Sequence, residues 1–200
     1  MTNGALELGR QHLGSILPSS AVIVKWKRWL GEYELTEGYS DDGYAWLTCV
    51  LALKAVASGN FGVGCVIVDS SGKLITQGHN EVFNPYFRSN RHAEMVVMDE
   101  LEDRYRAASQ IRRCTLYTSL ESCPMCMARL ITSRLRRVFH VASDVTGGMV
   151  HLQEGLPEVW RTLAGGHEFR QADCSPALIT AAGEIFPINA SELNLKLSND

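Results

Sequence analysis

The chain has 200 residues, 46% of them hydrophobic and 20% charged, and a formal net charge of −3. That length suits one domain able to bury a core without metal or disulfide staples, and the composition is that of an ordinary globular protein. The acidic balance argues against a nucleic-acid binder, whose surface is usually basic, and no apolar run approaches the ~20 residues of a membrane span.

The N-terminus lacks a basic start followed by an apolar stretch, and the most apolar segment, Leu47 to Val56, is interrupted by Lys54. A cytoplasmic setting is therefore expected, in which the six cysteines stay reduced. Cys49, Cys65, Cys114 and Cys174 sit singly in apolar segments and read as small buried hydrophobes. Residues 1–40 read as an N-terminal extension, with Trp26, Trp29 and Tyr33 available to pack on the body or on a partner chain. Residues 41–190 read as a single domain and residues 191–200 as an acid-leaning tail.

Asp41 and Asp42 mark a helix start, and Trp46, Leu47, Val50, Leu51, Leu53 and Val56 follow at helical spacing up to a stop at Gly59 and Asn60. Phe61 to Asp69 and Lys73 to Gln77, joined by Ser70-Ser71-Gly72, form a hairpin. A polar loop runs from Asn80 to Arg91. His92 opens a helix carrying Met95, Val96, Met98 and Leu101. Cys114 to Ser119 is a strand, Pro124 starts a helix through Arg134, and Arg136 to Ala142 is a strand. Strand, short helix and strand in that order imply parallel pairing through a right-handed crossover. Leu156 to Leu163 and Ser175 to Phe186 read as helices, with a short strand around Phe169. The chain is α/β, a sheet with helices on both faces.

Two segments carry chemistry: His92-Ala93-Glu94 and Cys123-Pro124-Met125-Cys126. The second has the spacing of two thiolates on one metal, and alone it could equally be half of a structural zinc site or a redox dithiol. A closed structural site needs four protein ligands, and no second C-x2-C or H-x3-H is present. Three good ligands with a carboxylate nearby describe an open catalytic site. Cys123 is expected at the cap of its helix, where unpaired N–H groups favour thiolate. Positions i and i+2 lie ~200° apart on a helix, so His92 and Glu94 can converge only where a helix points its N-terminal end at the metal.

H-A-E followed by a strand and C-x2-C on a helix resembles the cytidine deaminase-like superfamily, whose signature is H-x-E with P-C-x-x-C. The stretch TLYTSLESCPMCMARLITSRLRRVFHVASD is similar to the branch containing cytosine, guanine and tRNA-adenosine deaminases, and the likeness covers roughly Asp42 to Gly148. One departure stands out: where the family has proline before the first cysteine, this chain has Ser122, with a proline at Pro124 instead. The resemblance implies a three-layer α/β/α sandwich with a mixed central sheet of about five strands. It also implies one Zn2+ per chain on His92, Cys123 and Cys126, and a homodimer. It makes Glu94 the catalytic proton carrier, taking a proton from water, passing it to the ring nitrogen and then protonating the departing amine. Backbone N–H groups at Ala93 and Cys123 would hold a substrate carbonyl.

Gly78-His79-Asn80 resembles the family's G-x-N element, so Asn80 is a candidate substrate ligand, or else a turn former. Val63 would pack on the base, or simply in the core. Asp144 reads either a ring donor or nothing beyond its loop. Arg88 and Arg91 flank the site and read either as holders of a substrate 5′-phosphate or as solvated loop residues, and Arg112 and Arg113 read as matched by the acidic run Asp99 to Asp103. The remaining histidines lack partners at ligand spacing. The leading expectation is hydrolytic deamination of a free nucleobase or nucleoside, cytosine- or guanine-like, without nucleic acid or membrane as partner. The alternatives are a tRNA adenosine deaminase, which the acidic charge opposes, and a non-catalytic zinc-containing scaffold, which has no use for Glu94.

Overall fold

The computed structural model describes residues 3–198. Helices α1 (Asn3–Ser15) and α2 (Ala21–Glu32) precede the long helix α3 (Asp42–Ala57), and strands β1 (Gly64–Val68) and β2 (Leu74–His79) follow. After α4 (Ala93–Arg104) and the single turn α5 (Ala108–Ile111) come β3 (Thr115–Leu120), α6 (Pro124–Thr132) and β4 (Arg137–Ala142). The chain closes with α7 (Glu158–Ala164), β5 (Glu168–Gln171), α8 (Pro176–Ile185) and α9 (Pro187–Ser198).

The strands form one mixed sheet in the order β2-β1-β3-β4-β5. β1 runs antiparallel to β2 and β3, whereas β3, β4 and β5 are parallel. Alternation along each strand divides the core in two. Val66, Val68, Tyr117, Phe139 and Val141 pack with α3 and α8 on one face. Cys65, Ile67, Leu116 and Val138 pack with Val97, Met98 and Leu101 of α4 and Leu130 of α6 on the other. The result is the expected three-layer sandwich. Leu120 of β3 stands opposite Ala142 of β4, so both strands end at the edge where Ser122 and Cys123 follow.

Helix α3 is buried at every position except Lys54 and Ala57, and a helix apolar on all sides must be covered on all sides. The sheet and α8 cover its inner face; α1 and α2 cover the rest with Leu13, Ile16, Ile23, Trp26 and Leu30. The Trp46 indole N–H donates to the Leu30 carbonyl at 2.9 Å, and Gly9 of α1 lies so close to the Trp46 ring that no Cβ would fit. The Ser20 hydroxyl caps α2 by accepting from the Ile23 N–H. The buried Asp42 carboxylate accepts from Tyr33 Oη at 2.9 Å and from the Ser175 N–H at 2.8 Å. The buried Asp41 carboxylate accepts from Tyr117 Oη at 2.7 Å. Residues 3–40 are thus fastened to the body of their own chain.

The sequence pattern does not announce α1, α2 or α9. Residues 191–198, read from the sequence as a tail, are the second half of α9, because Ala190 and Leu193 find an apolar seat beside Phe61 and Val82. α6 stops at Thr132, two residues earlier than the sequence suggests, where the Ser133 N–H and hydroxyl both turn back to the Leu130 carbonyl. Among the described residues no helix is long and apolar enough to cross a membrane.

Candidate active site

His92 and Cys123 are the N-cap residues of α4 and α6. Both have extended backbone, His92 at φ −67°, ψ 157° and Cys123 at φ −70°, ψ 169°. This resolves the angular problem posed by H-A-E: His92 stands outside the helical wheel, so its ring and the Glu94 side chain in the first turn can face the same space. Pro124 at the first helical position of α6 fixes the turn that follows Cys123.

The ring and both sulfurs meet. His92 Nδ1 lies 3.5 Å from Cys123 Sγ and 3.6 Å from Cys126 Sγ, and one ligand atom from each residue lies within 4.8 Å of the others. Tetrahedral Zn–S and Zn–N bonds of about 2.3 and about 2.05 Å put such atoms roughly 3.6 Å apart. The donor set therefore fits zinc in both identity and spacing. Burial disfavours protonation of His92, but the adjacent Cys123 sulfur more than offsets this and the net shift is upward. Cys123 is pulled down to about 4, first by a hydrogen bond from Cys126 and then by His92 and the Cys126 N–H, while Cys126 is pushed well above the usual thiol range.

Glu94 is 4% exposed. Burial, with the Cys123 sulfur adding to it, raises its carboxyl above the usual carboxylate range. The Ser122 hydroxyl donates to Glu94 Oε1 at 2.9 Å. His92, Glu94 and Cys123 open onto a cavity of about 380 Å³ with apolar walls at Phe61, Val63, Leu120 and Phe186. Asn80 lines it too. The Asn80 oxygen accepts from the Val82 N–H at 3.1 Å; that N–H can only donate, which leaves the Asn80 amide nitrogen as the end free for a ligand. Ala93 is fully buried in the core beneath the sheet, so only its backbone is in question.

Three parts of the site carry no sequence motif. Glu121 is one: burial works to raise its pKa, yet the His151 N–H and imidazole and the Asp144 N–H bond its carboxylate and bring it below the usual range. His151 Nδ1 lies 2.7 Å away, which gives that histidine a partner that spacing did not reveal. This carboxylate closes loop 143–151 onto the cavity. Gly148 is required there, since a Cβ would stand 2.5 Å from both the Asp144 carbonyl and the Glu121 carboxyl carbon. The second part is Asp144 with Thr146 and Gly147 on the cavity wall; Asp144 Oδ1 is engaged by the Thr146 and Gly147 N–H groups. The third is α9, which brings Asn194 and Leu197 to the opposite wall.

The flanking arginines are not free. Glu81 pairs with Arg88 at 3.3 Å and Arg91 at 2.9 Å, and Arg91 also reaches Asp99. The acidic run is used differently from the sequence reading: Asp99 and Glu102 pair with Arg129, and Asp103 with Arg106. Arg112 and Arg113 have no ion-pair partner among the described residues, because the run is engaged elsewhere: Asp99 and Glu102 by Arg129, Glu100 by Thr76 and Asp103 by Arg106.

Residues 40–142 match the family model described as the cytidine and deoxycytidylate deaminase zinc-binding region. A tRNA-specific adenosine deaminase of Bacillus subtilis is 37% identical over 97 residues, 48% of this chain and 58% of that protein. The guanine deaminase of Bacillus subtilis is 32% identical over 92 residues, 46% of this chain and 58% of that protein. The chain thus matches less than two thirds of the length of either relative. Among solved structures, a tRNA:A34 deaminase superposes with a TM-score of 0.52 at 25% identity, covering 69% of this chain and 94% of that one. A guanine deaminase from Nitrosomonas europaea gives 0.56 at 21% identity over 84% and 93% of the two chains, a likeness of fold alone.

Proposed function

This chain belongs to the cytidine and deoxycytidylate deaminase zinc-binding family, and on that premise we propose that it hydrolyses an exocyclic amino group from a base-like ring taken up as a free base or nucleoside. One observation carries the choice of substrate: the cavity is walled on one side by loop 143–151 and on the other by α9. Its volume of about 380 Å³ lies near the lower end of the roughly 300–1,000 Å³ of small-molecule sites. The paired state of Arg88 and Arg91 supports a substrate without a phosphate held there.

In this reading His92, Cys123 and Cys126 hold the zinc. Bound zinc lowers the pKa of water to about 7 and so supplies a nucleophile at neutral pH. Glu94 takes a proton from the attacking water and passes it to the ring nitrogen, then takes the remaining proton of the added hydroxyl and passes it to the amino group, so that the carbonyl forms, the C–N bond breaks and ammonia leaves. Burial suits it to this work, because a carboxyl with a raised pKa can both take and return a proton. Val63 and Phe61 pack on the ring. The Asn80 amide donates to an acceptor on the ring, and the N–H groups at Ala93 and Cys123 hold a ring carbonyl. Asp144 keeps one oxygen, Oδ2, for a ring donor. A homodimer is part of the same proposal; Met125, Val159, Trp160 and Leu163, exposed along α6 and α7, support it.

A second reading, deamination of an adenosine within RNA, is favoured by the similarity to tRNA-specific adenosine deaminases. Ammonia release by the zinc-loaded protein separates the two. The panel is cytosine, guanine, adenine, their nucleosides, dCMP and an anticodon stem-loop. Turnover of a base or nucleoside supports the first reading; turnover of the stem-loop alone replaces it with the second.

A further inference from the structure

We propose that Ser122 is a positioning residue for Glu94: its hydroxyl holds one carboxylate oxygen and leaves the other to carry protons into the cavity. This rests on the role given to Glu94 above. Ser122 is 1% exposed and Glu94 4%, and the 2.9 Å bond runs from the serine hydroxyl to Oε1. An ionised carboxylate can only accept, so the proton in that bond belongs to serine. Among the described residues, Ser122 is the one side chain outside the zinc-binding set that donates to Glu94.

The serine is itself held from several directions. Its carbonyl accepts from the Met149 N–H at 2.9 Å, and the neighbouring Glu121 N–H donates to the Ala142 carbonyl at 2.9 Å. Cys123, next along the chain, is fixed as the cap of α6. The hydroxyl therefore projects from a backbone pinned to β4, to loop 143–151 and to α6. Glu94 needs such an anchor, because the last torsion of a glutamate side chain is broad and only weakly staggered. A proline at position 122, as in the family pattern, has no donor to offer. The hydroxyl is thus a feature of this chain, and it links the proton carrier on α4 to the loop that walls the cavity.

The test uses the zinc-loaded full chain and the best substrate of the panel. Ser122→Ala should keep one zinc per chain and KM within about twofold, while kcat falls about ten- to a hundredfold, the scale of a lost hydrogen bond to a buried charged group. Ser122→Thr, which keeps a hydroxyl, should recover most of kcat. An unchanged kcat in Ser122→Ala, or equal losses in the two variants, overturns the proposal. A second readout needs no turnover: the 13C shift of the Glu94 carboxyl carbon, assigned through its absence in Glu94→Gln. It should move in Ser122→Ala and return in Ser122→Thr. If wild type is silent on every substrate, the functional reading fails, and this shift still decides the positioning: movement upholds it and a stationary resonance overturns it.

Discussion

The floor of the cavity and its α9 wall are built in different ways. At the floor, His92, Glu94, Cys123 and Cys126 come from two short stretches, and each is placed by the N-terminal end of its own helix. At the wall, Asn194 and Leu197 come from the last turns of the described chain. They are placed by the burial of Ala190 and Leu193 on Phe61 and Val82 and by the Asn189 amide donating to the Asn60 carbonyl at 2.7 Å. The floor can support only narrow chemistry, because metal ligands and a buried carboxylate tolerate few replacements. The wall can change residue by residue without touching the reaction. On the proposed function, reaction type therefore belongs to the floor and substrate choice to the wall.

The sharpest way to break that division is to change the floor while leaving binding intact. Glu94→Gln keeps shape and loses the proton carrier, so kcat should drop by about two to four orders of magnitude with zinc content and KM little altered, as steady-state kinetics and metal analysis would show. Replacing Cys123 or Cys126 by Ala should instead remove the metal, bringing zinc per chain from one to near zero after dialysis and abolishing turnover. A variant that kept its zinc would contradict the ligand set.

The remaining predictions concern regions that hold the floor and wall in place. Leu30 is fully buried against α3. Leu30→Ala should cost about 2–5 kcal/mol of stability in denaturant unfolding, while leaving kcat/KM unchanged below the transition. A loss of kcat/KM there would mean that the N-terminal helices reach the site. On the wall, Asn194→Ala should raise KM by roughly three- to tenfold, the scale of one hydrogen bond, with kcat within about twofold. It should also shift the ranking of bases in the panel.

The same contrast explains what could be read from the sequence. The cluster of His92, Cys123 and Cys126, and the buried Glu94 beside it, were legible because a short spacing between chemically rare residues has few other uses. Apart from the single turn α5, the order of strands and helices from Asp42 to Ala142 was visible because apolar positions recur at the period of each element. Asn194 carries no such mark: it lies 114 residues from Asn80 in sequence, and an isolated asparagine on a terminal helix looks like any surface residue. Glu121 was hidden for a related reason, since its partners Asp144 and His151 are defined by loop closure. Trp26 and Leu30 sit in a segment of mixed polarity, and only the all-round burial of α3 explains why they must be covered.

The most direct test of the central claim follows oxygen. The panel compound that releases ammonia is turned over by the zinc-loaded protein in 18O-labelled water, beside Glu94→Gln, and the ring product is weighed. Hydrolysis at the floor predicts one heavy oxygen at the carbon that lost nitrogen, with labelled product nearly absent from the variant. Ammonia release without heavy oxygen in the ring, or equal labelling by the variant, would contradict it.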